Sequence, residues 1–321
     1  MSPFKILISG AGQLGSRYLQ GLASCRYPLS IIVQDNSQDA LDKARQRWSE
    51  VINQELTYNI SFQLSLNSIP ESIDIAIVAT NADVRLSVVR EILNHSTVRY
   101  WVLEKVLCQS EEGLDQILEQ VSTSSGAWVN TSRRVMPWHK KIKSQIGLKK
   151  PMNFTVQGGD WGLACNAVHF LDLFAWWTEE SLVGIDTNRL IQHWFESKRK
   201  GFMDISGTLD AIYSNGSTLQ LTAKREKELS PIILELTDGR LSWVINETDG
   251  SAIRSDGINI IGSIAKQSQL TGPLVESILK TGSCGLPDLE DSIALHKVFL
   301  ASMLSHYRHS GNPAATVLPI T

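Results

Sequence analysis

The chain opens on an apolar run, "FKILISG", that ends at glycines, and the residues after it place Leu14, Tyr18, Leu19 and Leu22 at helical spacing. Short apolar runs and helical patterns then alternate. "LSIIVQD" reads as a strand, "DALDKARQRWSEVINQ" as a helix, "IDIAIVAT" as a buried parallel strand and "ADVRLSVVREILNH" as a helix. "YWVLEKV" continues as a strand, "SEEGLDQILEQVSTS" as a helix and "AWVNTS" as a strand. Parallel strands need helical crossovers, so this alternation predicts a doubly wound α/β sheet.

From about residue 133 the pattern changes. A helix, "MPWHKKIKSQIG", precedes a strand, "MNFTVQGG", and a strongly apolar helix, "GLACNAVHFLDLFAWW". Antiparallel strands are expected at "LIQHWFES", "DISGTLDAIYS", "STLQLTAKRE", "PIILELTDGRLSWVINET" and "SAIRS", with turn signals at "SNGS" and "TDGR". Two helical patterns close the chain, "GPLVESILKTG" and "LPDLEDSIALHKVFLASMLSHYR"; Asp288, Glu290 and Asp291 in the first turn of the second suit the helix dipole. The expected organisation is an α/β domain over residues 1–132, followed over 133–321 by an α+β domain with an open, mostly antiparallel sheet.

Composition narrows the partners. The 321 residues are 42% hydrophobic, enough for two cores, and 30 basic against 33 acidic side chains leave a formal charge of −3. With no long basic run, nucleic acid is not an expected partner. No window approaches the ~18 apolar residues of a membrane span, and the N-terminal apolar run is too short for a signal peptide. Cys25, Cys108, Cys165 and Cys284 are far apart and form no CxxC pair, so reduced thiols in a cytoplasm are expected, with no metal site.

The first glycines carry the strongest chemical signal. Gly10, Gly12 and Gly15 satisfy G-x-G-x-x-G between a strand and a helix, the order that dinucleotide binding requires. Gly10 permits the tight turn, Gly12 lets a pyrophosphate approach the backbone, and Gly15 allows close helix–strand packing, with Gln13 and Leu14 completing the loop. The second strand ends in Asp35, twenty residues after Gly15, where a carboxylate accepts from ribose hydroxyls and repels a 2′-phosphate. No arginine follows in "QDNSQD". These features predict a Rossmann domain that prefers NAD to NADP. Ligands of such sheets bind outside the carboxyl ends of the strands, which adds Thr80, Asn81, Glu104 and Lys105 to the expected cofactor crevice. Lys105 is either a solvated strand end or a cation that polarises a substrate oxygen.

In the second domain, Cys165, His169 and Asp172 fall along one helix face at four- and three-residue spacing. Taken alone, the stretch reads as packing; beside the dinucleotide fingerprint it reads as an acid/base histidine, with Asp172 orienting it or capping nearby backbone. Trp161, in the loop "GGDWG", either packs or covers a sugar ring. Arg133 and Arg134 either hold a substrate by forked donation or form ion pairs.

Taken in order, "GAGQLG", Asp35, "IDIAIVAT", "LEKV", "NTSRRVMPWHKKIK" and "HFLD" resemble the glucose-fructose oxidoreductase / inositol dehydrogenase / rhizopine catabolism family of dinucleotide-dependent oxidoreductases. The resemblance implies hydride transfer between nicotinamide and a hydroxyl or carbonyl of a sugar, cyclitol or nucleotide-linked sugar. It makes Lys105 the substrate-contacting lysine and His169 the proton-exchanging residue, with Asp172 beside it. It places Arg134 on the substrate side and implies a homo-oligomer built through the second-domain sheet; Trp161, Cys165 and Asn166 are further expected substrate contacts. The sequence departs from the family at Cys165, where an aspartate is usual, at Val106 in place of proline, and at Arg85 in place of histidine. Those departures leave two other expectations standing: a dinucleotide-binding sensor without chemistry, and a reductase of the same architecture acting on tetrapyrroles.

Overall fold

The computed structural model describes residues 2–51, 58–147, 151–225 and 230–321; positions 52–54 of the expected second helix and Glu226 of "STLQLTAKRE" lie outside them. The chain divides into two compact units. The first comprises Met1–Cys108, Gly113–Asn130 and Ala265–Glu290, the second Gln109–Glu112, Thr131–Ile264 and Asp291–Thr321. The first division falls at Asn130/Thr131, beside the expected boundary at 132, while the segment 265–290, read from sequence as part of the second domain, belongs to the first unit.

The first unit holds β1 (Phe4–Ser9), α1 (Gln13–Leu22), β2 (Leu29–Gln34), α2 (Gln38–Ser49), β3 (Tyr58–Gln63), β4 (Ser72–Val78), α3 (Arg85–His95), β5 (Thr97–Leu103), α4 (Glu111–Val121) and β6 (Gly126–Val129). The strands form one sheet in the order β3-β2-β1-β4-β5-β6, parallel throughout. Ile6, Leu7, Ile8, Ile75, Ile77 and Val102 are fully buried, as a sheet covered on both faces demands. The order reverses between β1 and β4, which opens a crevice at their carboxyl ends. Sequence pattern had not assigned β3.

The returning segment packs within the first unit. It forms a helix over Gln267–Thr281 that packs on α1 through small residues: a Cβ added to Gly21 would stand 2.6 Å from Thr271 Cβ, and one added to Gly272 would stand 2.1 Å from Ser24 Oγ. Arg26 pairs with Glu276 at 2.7 Å along the same contact. Residues 287–288 then bond to the edge of β6, with Val129 N–H donating to Pro287 O at 3.2 Å.

The second unit starts with a 3-10 turn (Ser132–Val135) and α5 (Pro137–Lys143), whose proline occupies the first helical position. It continues through β7 (Asn153–Gly158), α6 (Leu163–Thr178), β8 (Leu182–Leu190), β9 (Phe195–Glu196), β10 (Met203–Asp204), β11 (Gly207–Tyr213), β12 (Thr218–Ala223), β13 (Ile233–Thr237), β14 (Ser242–Asn246), β15 (Ser251–Arg254) and β16 (Asn259–Ile261). The helix over 267–281 is α7 in chain order, and α8 (Leu289–His309) follows it. The large sheet runs β16-β15-β14-β13-β7-β12-β11-β8; only the β7–β12 pair is parallel. The expected strand "LIQHWFES" is corrected: the long strand, β8, ends at its first residue, Leu190, and of the rest only Phe195–Glu196 is extended, paired with β10.

α6 lies on the inner face of this sheet. The Phe154 and Phe174 rings stack at 5.0 Å, Phe174 meets Tyr213 edge-on at 4.9 Å, and the buried Tyr213 hydroxyl donates to Leu171 O at 2.8 Å. Trp177 is fully buried beside them, so packing accounts for the apolar half of the "GLACNAVHFLDLFAWW" stretch. Among the described residues no helix is long and apolar enough to cross a membrane, and no group of three His, Cys, Asp or Glu could hold a metal ion.

Candidate functional site

In the first unit a cavity of about 580 Å³ lies at the carboxyl ends of β1, β2 and β4, walled by Ser9, Gly10, Gly12, Asp35, Thr80 and Asn81 among others. Each motif glycine has a distinct geometry. Gly10 has a φ of +94°, and a Cβ there would meet Ala79 C at 2.9 Å. A Cβ on Gly15 would stand 1.7 Å from Gly10 O, so only glycine lets α1 seat against the β1 turn. Nothing lies within 4 Å of where a Gly12 Cβ would be, which leaves backbone at the α1 N-terminus open to an anion.

Asp35 stands opposite. Its carboxylate accepts from Ala11 N–H at 2.7 Å and Ser37 N–H at 2.9 Å, fixing it at the rim of the cavity while part of it stays exposed. Thr80 Oγ1 is buried and has no hydrogen-bond partner among the described residues. An open backbone, a held carboxylate and an orphaned hydroxyl around one cavity fit a dinucleotide. Gln13 and Leu14 lie outside the lining; the Gln13 side-chain oxygen accepts from Arg47 at 2.7 Å.

Glu104, expected at the cofactor crevice, is anchored inside the unit. Its carboxylate is buried, bonded by the Tyr18 hydroxyl and by Asn130 Nδ2 at 2.7 Å, and Asn130 also donates to Gln267 at 2.9 Å. Burial and the neighbouring Glu104 charge push the Tyr18 hydroxyl well above its ordinary pKa. Lys105, half-buried, follows, and its peptide bond to Val106 is cis. The segment beyond is held by Arg85, whose fork donates to the carbonyl oxygens of Val106 and Thr80 and, at 2.9 Å, to that of Leu107. Burial lowers the Arg85 guanidinium to about 10, which leaves it charged at neutral pH. Sequence reading noted Arg85 only as a departure; its role as a clamp of three carbonyls needed the fold.

In the second unit α6 carries the candidate histidine. His169 is half-buried, one turn beyond Cys165, whose thiol lies 3.9 Å from Met203 O. Asp172 is drawn to other partners: Arg134 donates to both its oxygens at 2.7 and 2.8 Å, and Thr131 Oγ1 adds a bond at 2.7 Å. Burial raises the Asp172 carboxyl by more than Arg134 and Thr131 lower it. The same ion pair commits Arg134, beside a cavity of about 350 Å³ lined also by Lys143, Trp176, Glu179 and Asp291.

Arg133 turns to Glu247, which it holds by two bonds at 2.6 and 2.7 Å, and stacks 4.3 Å over the Phe170 ring. His139, fully buried, completes that cluster at 3.0 Å from Glu247. Burial would raise Glu247, but Arg133 and His139 outweigh it and hold the carboxyl far below the usual range. Trp161 donates to Thr222 O at 2.9 Å and meets Phe170 edge-on at 5.4 Å, while Asn166 donates to Trp161 O at 2.9 Å. One residue that sequence reading passed over enters here. Asp204, on β10, accepts from Ala164 N–H at 2.8 Å and so caps α6, whose own N-terminal residue, Gly162, has no side chain to do it.

With this geometry in hand, the fold can be placed among known proteins. No protein-family model and no curated protein matches the chain in sequence. Solved structures do match in shape. UDP-N-acetylglucosamine 3-dehydrogenase from Acidithiobacillus ferrooxidans is 14% identical with a TM-score of 0.69, over 98% of this chain and 99% of its own. Biliverdin reductase from Synechocystis, solved with biliverdin and NADP+, is 15% identical with a TM-score of 0.71, over 95% and 99%. Scyllo-inositol dehydrogenase from Lactobacillus casei, solved with NAD(H) and scyllo-inositol, is 14% identical with a TM-score of 0.68, over 95% and 97%. The chain therefore has the fold of these two-unit oxidoreductases across nearly its whole length.

Proposed function

We propose that the protein is a dinucleotide-dependent oxidoreductase acting on a hydroxyl or carbonyl of a sugar, cyclitol or nucleotide-linked sugar. The observation that carries this reading is the cavity at the β1/β4 reversal, where open backbone at Gly12, the carboxylate of Asp35 and the orphaned Thr80 hydroxyl surround one volume. NAD is the preferred cofactor, because Asp35 presents negative charge where NADP carries its 2′-phosphate. Bound there, the nicotinamide would supply hydride exchange; the protein positions and moves the proton.

Lys105 contributes a cation that polarises the substrate oxygen, and His169 takes the hydroxyl proton as the carbon loses its hydride, or returns it in the reverse direction. An imidazole suits both directions because its ordinary pKa of about 6.5 lies near working pH. Asp172, bonded to Arg134 and Thr131, acts as a structural anchor of α6 in this scheme. Self-association is proposed through the outer face of the large sheet, where Val183, Ile212, Val244, Ile253 and Ile261 are exposed and Val244 sits directly opposite Ile253.

The test is a titration of NADH fluorescence, followed by turnover with a panel of cyclitols, sugars and nucleotide sugars. Lys105→Ala and His169→Ala should abolish turnover without abolishing NADH binding. A non-catalytic sensor is the second reading, favoured by Cys165 in the place of an aspartate and by the commitment of Asp172 to Arg134. Binding without turnover across the panel selects it. Absence of nucleotide binding defeats both.

A further inference from the structure

Trp194 fixes an otherwise exposed strap of the second unit. Among residues 191–201, between β8 and β10, it is the one buried side chain. Its ring meets Tyr307 edge-on at 5.1 Å and lies 6.0 Å from the ring of His306, on the last turn of α8. The indole N–H donates to His306 Nδ1 at 3.2 Å. The strap leads directly into β10, where Met203 O faces the Cys165 thiol at 3.9 Å and Asp204 caps α6 by accepting from Ala164 N–H at 2.8 Å. Its far end therefore holds the N-terminus of the helix that carries His169.

The Trp194 bond also fixes the protonation of the imidazole. An indole nitrogen only donates, so Nδ1 is the bare nitrogen and the single proton of the neutral ring stands on Nε2. Nε2 is buried and has no hydrogen-bond partner among the described residues, an unsatisfied donor that weakens the latched arrangement. A second proton has one place to go, Nδ1, where it would meet the Trp194 N–H head-on. Protonation of His306 and the Trp194 bond therefore exclude each other. The Ser310 hydroxyl, 3.4 Å from Nδ1, can turn a lone pair toward the new proton once the indole has left. The titratable and charged neighbours are Tyr307, Arg308 and His309 on α8 and His193 and Glu196 on the strap, with Arg308 turned to Ala315 O at 2.8 Å. Burial first, and then His309, hold the His306 pKa below its ordinary value.

We propose that Trp194 and His306 form a proton-released latch: as pH falls through the range where a free imidazole titrates, His306 takes up a proton, loses the indole and frees the strap 191–201 at the N-terminus of α6. The latch lies within the second unit and does not depend on the oxidoreductase reading. With an ordinary pKa of about 6.5 in the released state and little proton uptake in the latched one, the released fraction rises about tenfold between pH 7.5 and 5.5.

The experiment follows the Trp194 indole N–H by heteronuclear NMR in the full chain, its signal being the one of nine that Trp194→Phe removes. Relative to the intrinsic rate at each pH, its hydrogen exchange should rise about tenfold from pH 7.5 to 5.5. The Ser197 amide, which donates to Phe202 O at 2.7 Å, should follow it, while amides of β1 and β4 should not. Imidazole spectra should show the Nε2–H tautomer of His306 at pH 7.5 and a titration with the same midpoint as the release. His306→Asn supplies an acceptor oxygen that does not titrate, and its Trp194 indole should stay as protected at pH 5.5 as at 7.5. Exchange of the wild-type indole that does not change with pH, an Nδ1–H tautomer at pH 7.5, or an unchanged pH response in His306→Asn overturns the proposal. The first two are read on the unaltered protein, so they decide the matter even where the asparagine variant does not fold.

Discussion

Gly12 and Gly15 belong to one motif but fail for different reasons when a methyl group is added. At Gly15 the added Cβ would lie 1.7 Å from Gly10 O, roughly half an ordinary van der Waals contact, and the obstacle is backbone that cannot rotate away. Overpacking of this kind costs about 1–3 kcal/mol or more, and α1 must lift off β1 to relieve it. At about 2–4 °C per kcal/mol for a unit of this size, Gly15→Ala should melt about 2–12 °C below wild type. At Gly12 the space is empty, so Gly12→Ala should lose no more than about 1 kcal/mol, the difference between glycine and alanine at a helix start. The same methyl stands where the pyrophosphate must approach, and NADH affinity should fall by at least about tenfold, 1.4 kcal/mol. Thermal melting and NADH fluorescence titration separate the two effects. Wild-type NADH affinity in Gly12→Ala would refute the placement of the pyrophosphate, and a wild-type melting temperature in Gly15→Ala would refute the tight seat of α1.

Three further outcomes are expected. Arg85→Lys keeps a charge but not the fork over the Thr80, Val106 and Leu107 carbonyls, and the two or more bonds lost are worth about 1.5–3 kcal/mol each; turnover should drop with stability, read by urea unfolding and steady-state rates, whereas an unaffected rate would make the clamp irrelevant to Lys105. Burial lowers the His139 pKa below 6.5, so the unfolded chain takes up a proton that the folded chain refuses: stability is full above pH 6.5 and is lost as pH falls below it, by up to about 1.4 kcal/mol per pH unit. His139→Gln should flatten that slope in melting curves between pH 7.5 and 5.5, and an unchanged slope would assign the titration elsewhere. Cys165→Ser should leave NADH binding intact and reduce turnover less than His169→Asn; a larger loss at Cys165 would put the thiol in the chemistry.

The first unit was legible because its signals are local. Apolar runs buried on both faces, glycines at fixed offsets and an acidic residue at the end of the second strand each report their own backbone neighbourhood, and β1, α1, β2, β4 and β5 follow from them. The failures have a common physical origin. β3, "YNISFQ", alternates polar with apolar residues at the sheet edge and lacks the continuous apolar run of its neighbours. β8, "LVGIDTNRL", carries a polar stretch, "DTNR", in its second half, because as an edge strand of a sheet with one open face it is set by pairing with β11 more than by burial. The apolar run "LIQHWFES" looked more strand-like and instead buries Trp194 against His306 without a long ladder. α7 reads correctly as a helix, but a helix pattern does not state which unit it covers; that is decided by Gly21 and Gly272, whose missing side chains let α1 and α7 approach.

The candidate site divides along the same line. Gly12, Asp35 and Thr80 could be named from sequence because strand ends of a parallel sheet share one edge, so position along a strand fixes position in the cavity. The polar groups around α6 had no such rule. Asp172 looked available to orient His169 and Arg134 to hold substrate, yet a buried carboxylate and a half-buried guanidinium 38 residues apart satisfy each other first, because the carboxylate left alone would cost more than the pair. Asp204 was passed over for the opposite reason: an aspartate in a two-residue strand has no sequence signature, and only the fold brings it to the N–H groups that Gly162 leaves uncapped. Side-chain chemistry that is spent inside the protein and chemistry that is left over look alike in a sequence. The distinction rests on counting donors and acceptors in the folded chain, and by that count both oxygens of Asp172 are already spent on Arg134 and Thr131.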